Sequence, residues 1–118
     1  MTTIMLVKDD PDFIYLIHRY VTRRGWRMVN VTQGKGVLEL AQHEKPSAIA
    51  LDIMLPGANG WDVLRTLKAN PITRTIPVLL CTALDERARS QAEGADGYLH
   101  KPVLYQEFVT ALEDVQFV

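Results

Sequence analysis

The sequence predicts an α/β fold, an open, doubly wound sheet of five parallel strands in the order 2-1-3-4-5, layered between helices as a three-layer sandwich. Three observations carry this. Short apolar runs alternate with helix-period segments from one end of the chain to the other. The segments between runs are long enough for helical crossovers, which parallel strands need and hairpins do not. Five strands suit an open sheet, because the closed (β/α) barrel takes eight. The 118 residues form one domain's worth of chain, enough to bury a core unaided, with no linker, repeat or low-complexity stretch.

Each element has its own signal. Ile4-Met5-Leu6-Val7 is a first strand. It ends at Lys8-Asp9-Asp10-Pro11, where Asp10 can cap a helix and Pro11 can take its first turn. Phe13, Ile17, Tyr20 and Val21 recur at helical spacing, and Gly25 stops that helix. Met28-Val29-Asn30-Val31 alternates as a second strand, and Val37, Leu38 and Ala41 mark a short helix before Pro46. Ala48 to Ile53 is apolar except for Asp52, the pattern of a strand buried on both faces. Pro56-Gly57-Ala58-Asn59-Gly60 is turn-rich, and Trp61, Leu64 and Leu67 follow on a helix that Asn70-Pro71 ends. Pro77 to Thr82 is a fourth strand, with an i, i+4 apolar pattern of Leu84, Ala88 and Ala92 after it. Gly97-Tyr98-Leu99-His100 is a short fifth strand, and Leu104, Phe108, Leu112 and Val115 mark a closing helix.

Open sheets of this kind bind ligands beyond the carboxyl ends of their strands, where the strand order reverses. The residues there are polar: Asp9-Asp10 after strand one, Asp52 at the end of strand three, Thr82 after strand four and Lys101 after strand five. With the order 2-1-3-4-5 the three carboxylates converge. They would repel one another without a compensating cation, and a hard divalent ion such as Mg²⁺ suits a site of few carboxylates that keeps several waters. Lys101 adds a second positive charge, so the crevice suits a phosphoryl group. Asp52 could be its nucleophile, Mg²⁺ and Lys101 the neutralising charges, and the Thr82 hydroxyl with the Ala83 backbone N–H the donors to its oxygens. Taken singly, these residues have plainer readings: an acid after a strand is often a helix cap, a threonine is common in strands, and Lys101-Pro102 could be a surface lysine before a helix. Only one of two adjacent acids can cap, however. A charge closing the most apolar strand is costly unless paired, so Asp52 is the strongest signal.

Composition narrows the function classes. Thirteen Lys and Arg against 14 Asp and Glu give a net charge of −1 with no run of like charge, which argues against a nucleic-acid partner. Cys81 is the lone thiol, so no internal disulfide can form, as expected in a reducing compartment. The apolar stretch Val78 to Leu84 is too short to span a bilayer and Met1-Thr2-Thr3 is no signal peptide, so the expectation is a soluble, cytoplasmic domain with no membrane partner. Arg19, Arg23, Arg24 and Arg27 read as a solvated helix end, and Gly34-Lys35-Gly36 lacks the longer dinucleotide fingerprint. His18, His43 and His100 have no metal-ligand spacing.

The motifs together resemble the receiver domain of bacterial two-component response regulators, a CheY-like, flavodoxin-like fold. The resemblance runs from Ile4 to about Val115 and rests on Met5-Leu6-Val7-Lys8-Asp9-Asp10, on Asp52 through Gly60, on Cys81-Thr82-Ala83, and on Gly94-Ala95-Asp96-Gly97-Tyr98-Leu99-His100-Lys101-Pro102. It implies that Asp52 accepts a phosphoryl group from the phosphohistidine of a sensor histidine kinase or phosphotransfer protein. It also implies that Asp10 ligates Mg²⁺ directly, Asp9 through a water, and Asp52 and the backbone oxygen of Met54 complete the set; Mn²⁺ could stand in. Lys101, ahead of a cis bond to Pro102, would pair with Asp52 and then with the phosphoryl group. Thr82 and Tyr98 look like the switch pair that reshapes the face of helix four, strand five and helix five for a downstream protein partner. The same face could pair two phosphorylated copies. The expectation is a single receiver domain over residues 1–118, free-standing or cut from a longer regulator or hybrid kinase.

Thr82 and Lys101 stand 19 positions apart, about one helical turn less than the family spacing, and the shortfall falls between Leu84 and Glu93, so helix four should be short. Met54 and Leu84 flank the expected phosphorylation site with bulky apolar groups, which would slow attack by water. Two rivals remain. A small phosphatase using an aspartyl-phosphate intermediate would carry a second acid two residues after its nucleophile, where this chain has Met54. An interaction module indifferent to phosphorylation would be expected to lack Asp52, Lys101 or the acidic pair, and all are present. On this reading the chain turns over no external substrate and is no enzyme in that sense.

Overall fold

A computed structural model describes residues 2–55 and 57–115, so Met1 and Pro56 of the motifs above lie outside the described residues. Strands β1 (Thr3–Val7), β2 (Arg27–Val31), β3 (Ala48–Asp52), β6 (Val78–Thr82) and β7 (Gly97–His100) form one parallel sheet in the order β2-β1-β3-β6-β7. A separate two-residue pair, β4 (Met54–Leu55) and β5 (Ala58–Asn59), is antiparallel. Leaving that pair aside, the five long strands follow the expected 2-1-3-4-5.

Helices α1 (Pro11–Arg23), α2 (Val37–Glu44), α3 (Gly60–Ala69), α4 (Arg87–Ala92) and α5 (Tyr105–Asp114) complete the alternation. Side chains alternate across the pleat, so each buried strand feeds two cores. Met5, Val7, Ile49, Leu51, Val78 and Leu80 face Val37, Ala41, Trp61, Leu64 and Leu67 from α2 and α3. Ile4, Leu6, Ala48, Ala50, Leu79 and Cys81 face Phe13, Ile17, Val21, Phe108 and Leu112 from α1 and α5. Every residue of β1, β3 and β6 is buried, which accounts for their near-continuous apolar reading.

The fourth helix has only six residues, the shortest of the five, as the spacing predicts. Its packing differs from the apolar pattern, however. Leu84 lies before the helix and is exposed, Ala88 and Ala92 are exposed, and the buried residue is Ser90. α4 is held by backbone and charge instead: Ala95 N–H donates to the Ser90 carbonyl at 3.0 Å, and Arg65 on α3 pairs with Glu93 at 2.7 Å. At the closing helix, Leu104 and Val115 are caps rather than interior positions.

Gly60 opens α3 where the chain passes back over Ile53, and its N–H donates to the Ile53 carbonyl at 3.0 Å. A Cβ there would lie 2.4 Å from Ile53 Cα and 2.6 Å from its oxygen, both backbone atoms that cannot swing aside. Because Ile53 follows Asp52, this contact fixes the loop that leaves the site. Gly60→Ala should lower stability by about 1–3 kcal/mol. Urea unfolding monitored by circular dichroism measures the loss.

Candidate functional site

The site lies at the carboxyl edge of the sheet, where β1, β3, β6 and β7 deliver their last residues side by side. The register pairs Val7 with Leu51 and Asp52 with Cys81, so the next residue of β1, Lys8, comes abreast of Asp52. Asp52 ends β3 with a side chain only 2% exposed. A carboxylate that far from water needs compensating partners, and it has three. The Met54 backbone N–H donates to Oδ1 at 2.8 Å, and the ammonium of Lys101 donates to Oδ2. The Lys8 ammonium stands 3.1 Å from the same Oδ2.

Both lysines are held in place. Lys101 takes its position from a backbone hydrogen bond to the Thr82 carbonyl at 2.8 Å, and its bond to Pro102 is cis, as the resemblance implies. Its ammonium sits 4.3 Å from the centre of the Phe13 ring, a face that attracts cations. Two residues on, the Val103 carbonyl accepts from the Tyr20 hydroxyl at 2.9 Å, which ties this turn to α1. Lys8 continues the β1–β2 ladder: its N–H donates to the Val31 carbonyl at 3.0 Å, and Asn30 Nδ2 reaches the Leu6 carbonyl at 3.0 Å.

The acidic pair divides. Asp10 is the N-cap of α1, and its Oδ1 accepts from the Asp12 N–H at 3.0 Å. Its carboxylate thus serves the orphan donors of the helix, the use that Pro11 and Asp12 in the first turn favour. Asp9 is exposed and has no hydrogen-bond or ion-pair partner among the described residues. The expected convergence of Asp9, Asp10 and Asp52 is therefore not formed, and among the described residues no three His, Cys, Asp or Glu side chains gather as a metal site. What the strand ends still offer a hard cation is two carboxylates, Asp9 and Asp52, with the backbone oxygen of Met54. That all-oxygen donor set fits Mg²⁺, which commonly takes one or two carboxylates and keeps its waters.

Thr82 is buried at the end of β6, and its Oγ1 accepts from the Leu84 N–H at 3.1 Å. The Tyr98 hydroxyl donates to the Leu84 carbonyl and accepts from the Glu86 N–H at 3.0 Å. The two residues of the expected switch pair are therefore joined through a single residue, Leu84, Thr82 holding its N–H and Tyr98 its carbonyl. The Arg87 guanidinium covers the Tyr98 ring at 5.0 Å. Met54 and Leu84, each two residues beyond a strand end of this edge, are exposed.

A family model described as the response regulator receiver domain matches residues 4–113, nearly the whole chain. The chain belongs to that family, the receiver domains of two-component systems. The receiver is 32% identical over 106 residues to Protein PilH of Pseudomonas aeruginosa, covering 87% of this chain and 88% of PilH. It is 36% identical over 107 residues to the response regulator PleD of Caulobacter vibrioides, covering 87% of this chain but only 24% of PleD. Its backbone is similar to the crystallised receiver domain of the sensor histidine kinase PA1611 of Pseudomonas aeruginosa, with a TM-score of 0.86, 28% identity, and coverage of 95% and 94% of the two chains. That crystal structure has a magnesium ion coordinated in its active-site cleft. Among the described residues no helix of this receiver is long and apolar enough to cross a membrane.

Sequence reasoning gave Lys8 no role, although a signal existed. Like Asp52, it is a charge closing an apolar strand, and β1 and β3 are neighbours in the sheet.

Cys81, paired with Asp52 in register, reports on this environment. Burial first, and the neighbouring Asp52 charge second, push its thiol up to about 12 from 9.0. The native thiol should resist a disulfide reagent at pH 8 and react fully in urea. The sign of its pH dependence follows. Stability is complete below 9.0, where both states are protonated, and is lost as pH rises towards about 12, because only the unfolded thiol ionises. Cys81→Ala should flatten that part of the stability curve, which unfolding at a series of pH values reads directly.

Proposed function

We propose that the chain is the phosphoacceptor of a phosphorelay, with Asp52 as the nucleophile. The observation that carries this reading is a carboxylate 2% exposed at the sheet edge, held on one oxygen by the Met54 N–H and on the other by two ammonium groups. The Met54 N–H fixes the carboxylate plane, so Oδ2 attacks the phosphorus of a phosphohistidine on a sensor histidine kinase or phosphotransfer protein. A P–O bond forms, the P–N bond breaks, and the departing imidazole takes up a proton. The acyl phosphate then exposes two negative charges to Lys101 and Lys8, while the Thr82 hydroxyl and the Ala83 N–H serve as donors to its oxygens. Mg²⁺, held by Asp9, Asp52 and the Met54 carbonyl, would neutralise charge on the transferring group. The magnesium ion in the cleft of the PA1611 receiver supports that choice of metal.

The same geometry supports a switch. When the Thr82 hydroxyl turns to the phosphoryl group, the Leu84 N–H loses its acceptor, and the Leu84 carbonyl that anchors Tyr98 moves with it. The output face of α4, β7 and α5 changes shape there, for a downstream protein or a second copy. The chain spans nearly all of PilH but about a quarter of PleD.

Incubation with Mg²⁺ and acetyl phosphate, followed by intact-protein mass measurement, should add one phosphoryl group, and Asp52→Asn should add none. No adduct would leave an interaction module, and sustained hydrolysis of an added phosphomonoester would make the domain a phosphatase. Met54 and Leu84 should make the acyl phosphate last for minutes or longer after donor removal; loss of the label within seconds would count against their shielding.

A further inference from the structure

Asp52 carries one negative charge in its resting state, yet two ammonium groups bind the same oxygen. Structural pairing needs only one of them. Lys101 reaches the carboxylate from beyond β7, stacked on Phe13. Lys8 arrives independently, set abreast of Asp52 by the β1–β3 register and anchored through the β2 ladder. Its side chain is 13% exposed, so it is committed to this position rather than waving in solvent. A divalent ion shared by Asp9 and Asp52 would have to enter beside a fixed ammonium on the oxygen it needs.

We infer that Lys8 is a built-in cation that takes over part of the role of the divalent metal, so this receiver binds Mg²⁺ weakly and accepts a phosphoryl group without it. This rests on Asp52 being the phosphoacceptor. Charge balance favours the arrangement at the product. Transfer turns the single charge of the carboxylate into the two charges of an acyl phosphate, and Lys8 with Lys101 match those two charges. Before transfer the surplus ammonium attracts an anionic donor and repels a cation. Asp10, the other acid the sequence offers a metal, accepts from the Asp12 N–H as the α1 cap, which leaves Asp9 as the acid that offsets Lys8 in a metal's favour.

The test uses the whole chain, its Lys8→Met variant, which keeps the apolar stem and removes the charge, and Lys8→Arg, which keeps the charge. Mg²⁺ alone is titrated while the amide signals of Asp9, Asp52 and Met54 are followed by NMR, and well-dispersed spectra certify folding. Lys8→Met should bind Mg²⁺ about tenfold tighter or more than the unaltered chain, and Lys8→Arg should not. In parallel, mass measurement follows acetyl phosphate labelling with Mg²⁺ or with EDTA. The unaltered chain should label in EDTA at a rate within about tenfold of its Mg²⁺ rate, and Lys8→Met should label only with Mg²⁺. Equal Mg²⁺ affinities in the chain and Lys8→Met, or labelling of the unaltered chain that EDTA abolishes, would overturn the inference. Failure of every variant to label in either condition would instead remove Asp52 as acceptor, while the affinities would still judge Lys8.

Discussion

The structure turns on one electrostatic constraint: a carboxylate with 2% of its side chain exposed, at the end of an all-buried strand, must be neutralised by its neighbours or lose its charge. Neutralisation cannot be local to β3, whose other residues are apolar. It has to come from the strands on either side and from the loop that follows. That requirement explains why the β1–β3 register, the turn after β7 and the Ile53–Gly60 contact all bear on one atom group. Lys8 depends on the first, Lys101 on the second, and the Met54 N–H on the third.

The hydrophobic layers make this possible. α1 lends Phe13 to the Lys101 ammonium and Tyr20 to the Val103 carbonyl, while its remaining buried residues pack on the sheet. The helix that stabilises the core is thus also the scaffold of the cation. Such a site is held to hydrogen-bond precision by elements whose own positions are set by burial, which is how a fold can keep two like charges 13% and 20% exposed beside one oxygen.

Much of this was legible in the sequence. Alternating apolar runs gave the strands, crossover length gave the parallel order, and the break in apolarity at Asp52 marked the buried carboxylate at the sheet edge, because period and burial leave direct traces in residue type. Two things were not. Asp10 was legible as the cap of a helix starting at Pro11, but a string does not show that Asp9 is left exposed and without a partner among the described residues. The pairing of Lys8 with Asp52 depends on register between strands more than 40 residues apart, which no local pattern encodes. The fourth helix was legible in length but not in packing. Leu84, Ala88 and Ala92 have the right period, yet the short helix turns Ser90 inward and leaves the apolar residues out.

That packing bears on how a charge at Asp52 could reach the surface. A helix docked through a broad apolar stripe resists displacement, since moving it exposes area. α4 has no such stripe. It is fastened by the Ser90 carbonyl, the Arg65–Glu93 pair on an exposed face, and the loop that Tyr98 holds at Leu84 and Glu86. The Arg65–Glu93 pair is bidentate, at 2.7 and 2.8 Å, and ties the end of α4 to α3 without burying apolar area. The tether nearest the site is the pair of Tyr98 hydrogen bonds, and Leu84, one of its two anchors, hangs from the Thr82 hydroxyl. On the proposed reading the element that must move is the one least committed to the core, and the first bond to yield is the one nearest the phosphoryl group. Shortening the fourth helix has then reduced the apolar cost of moving it.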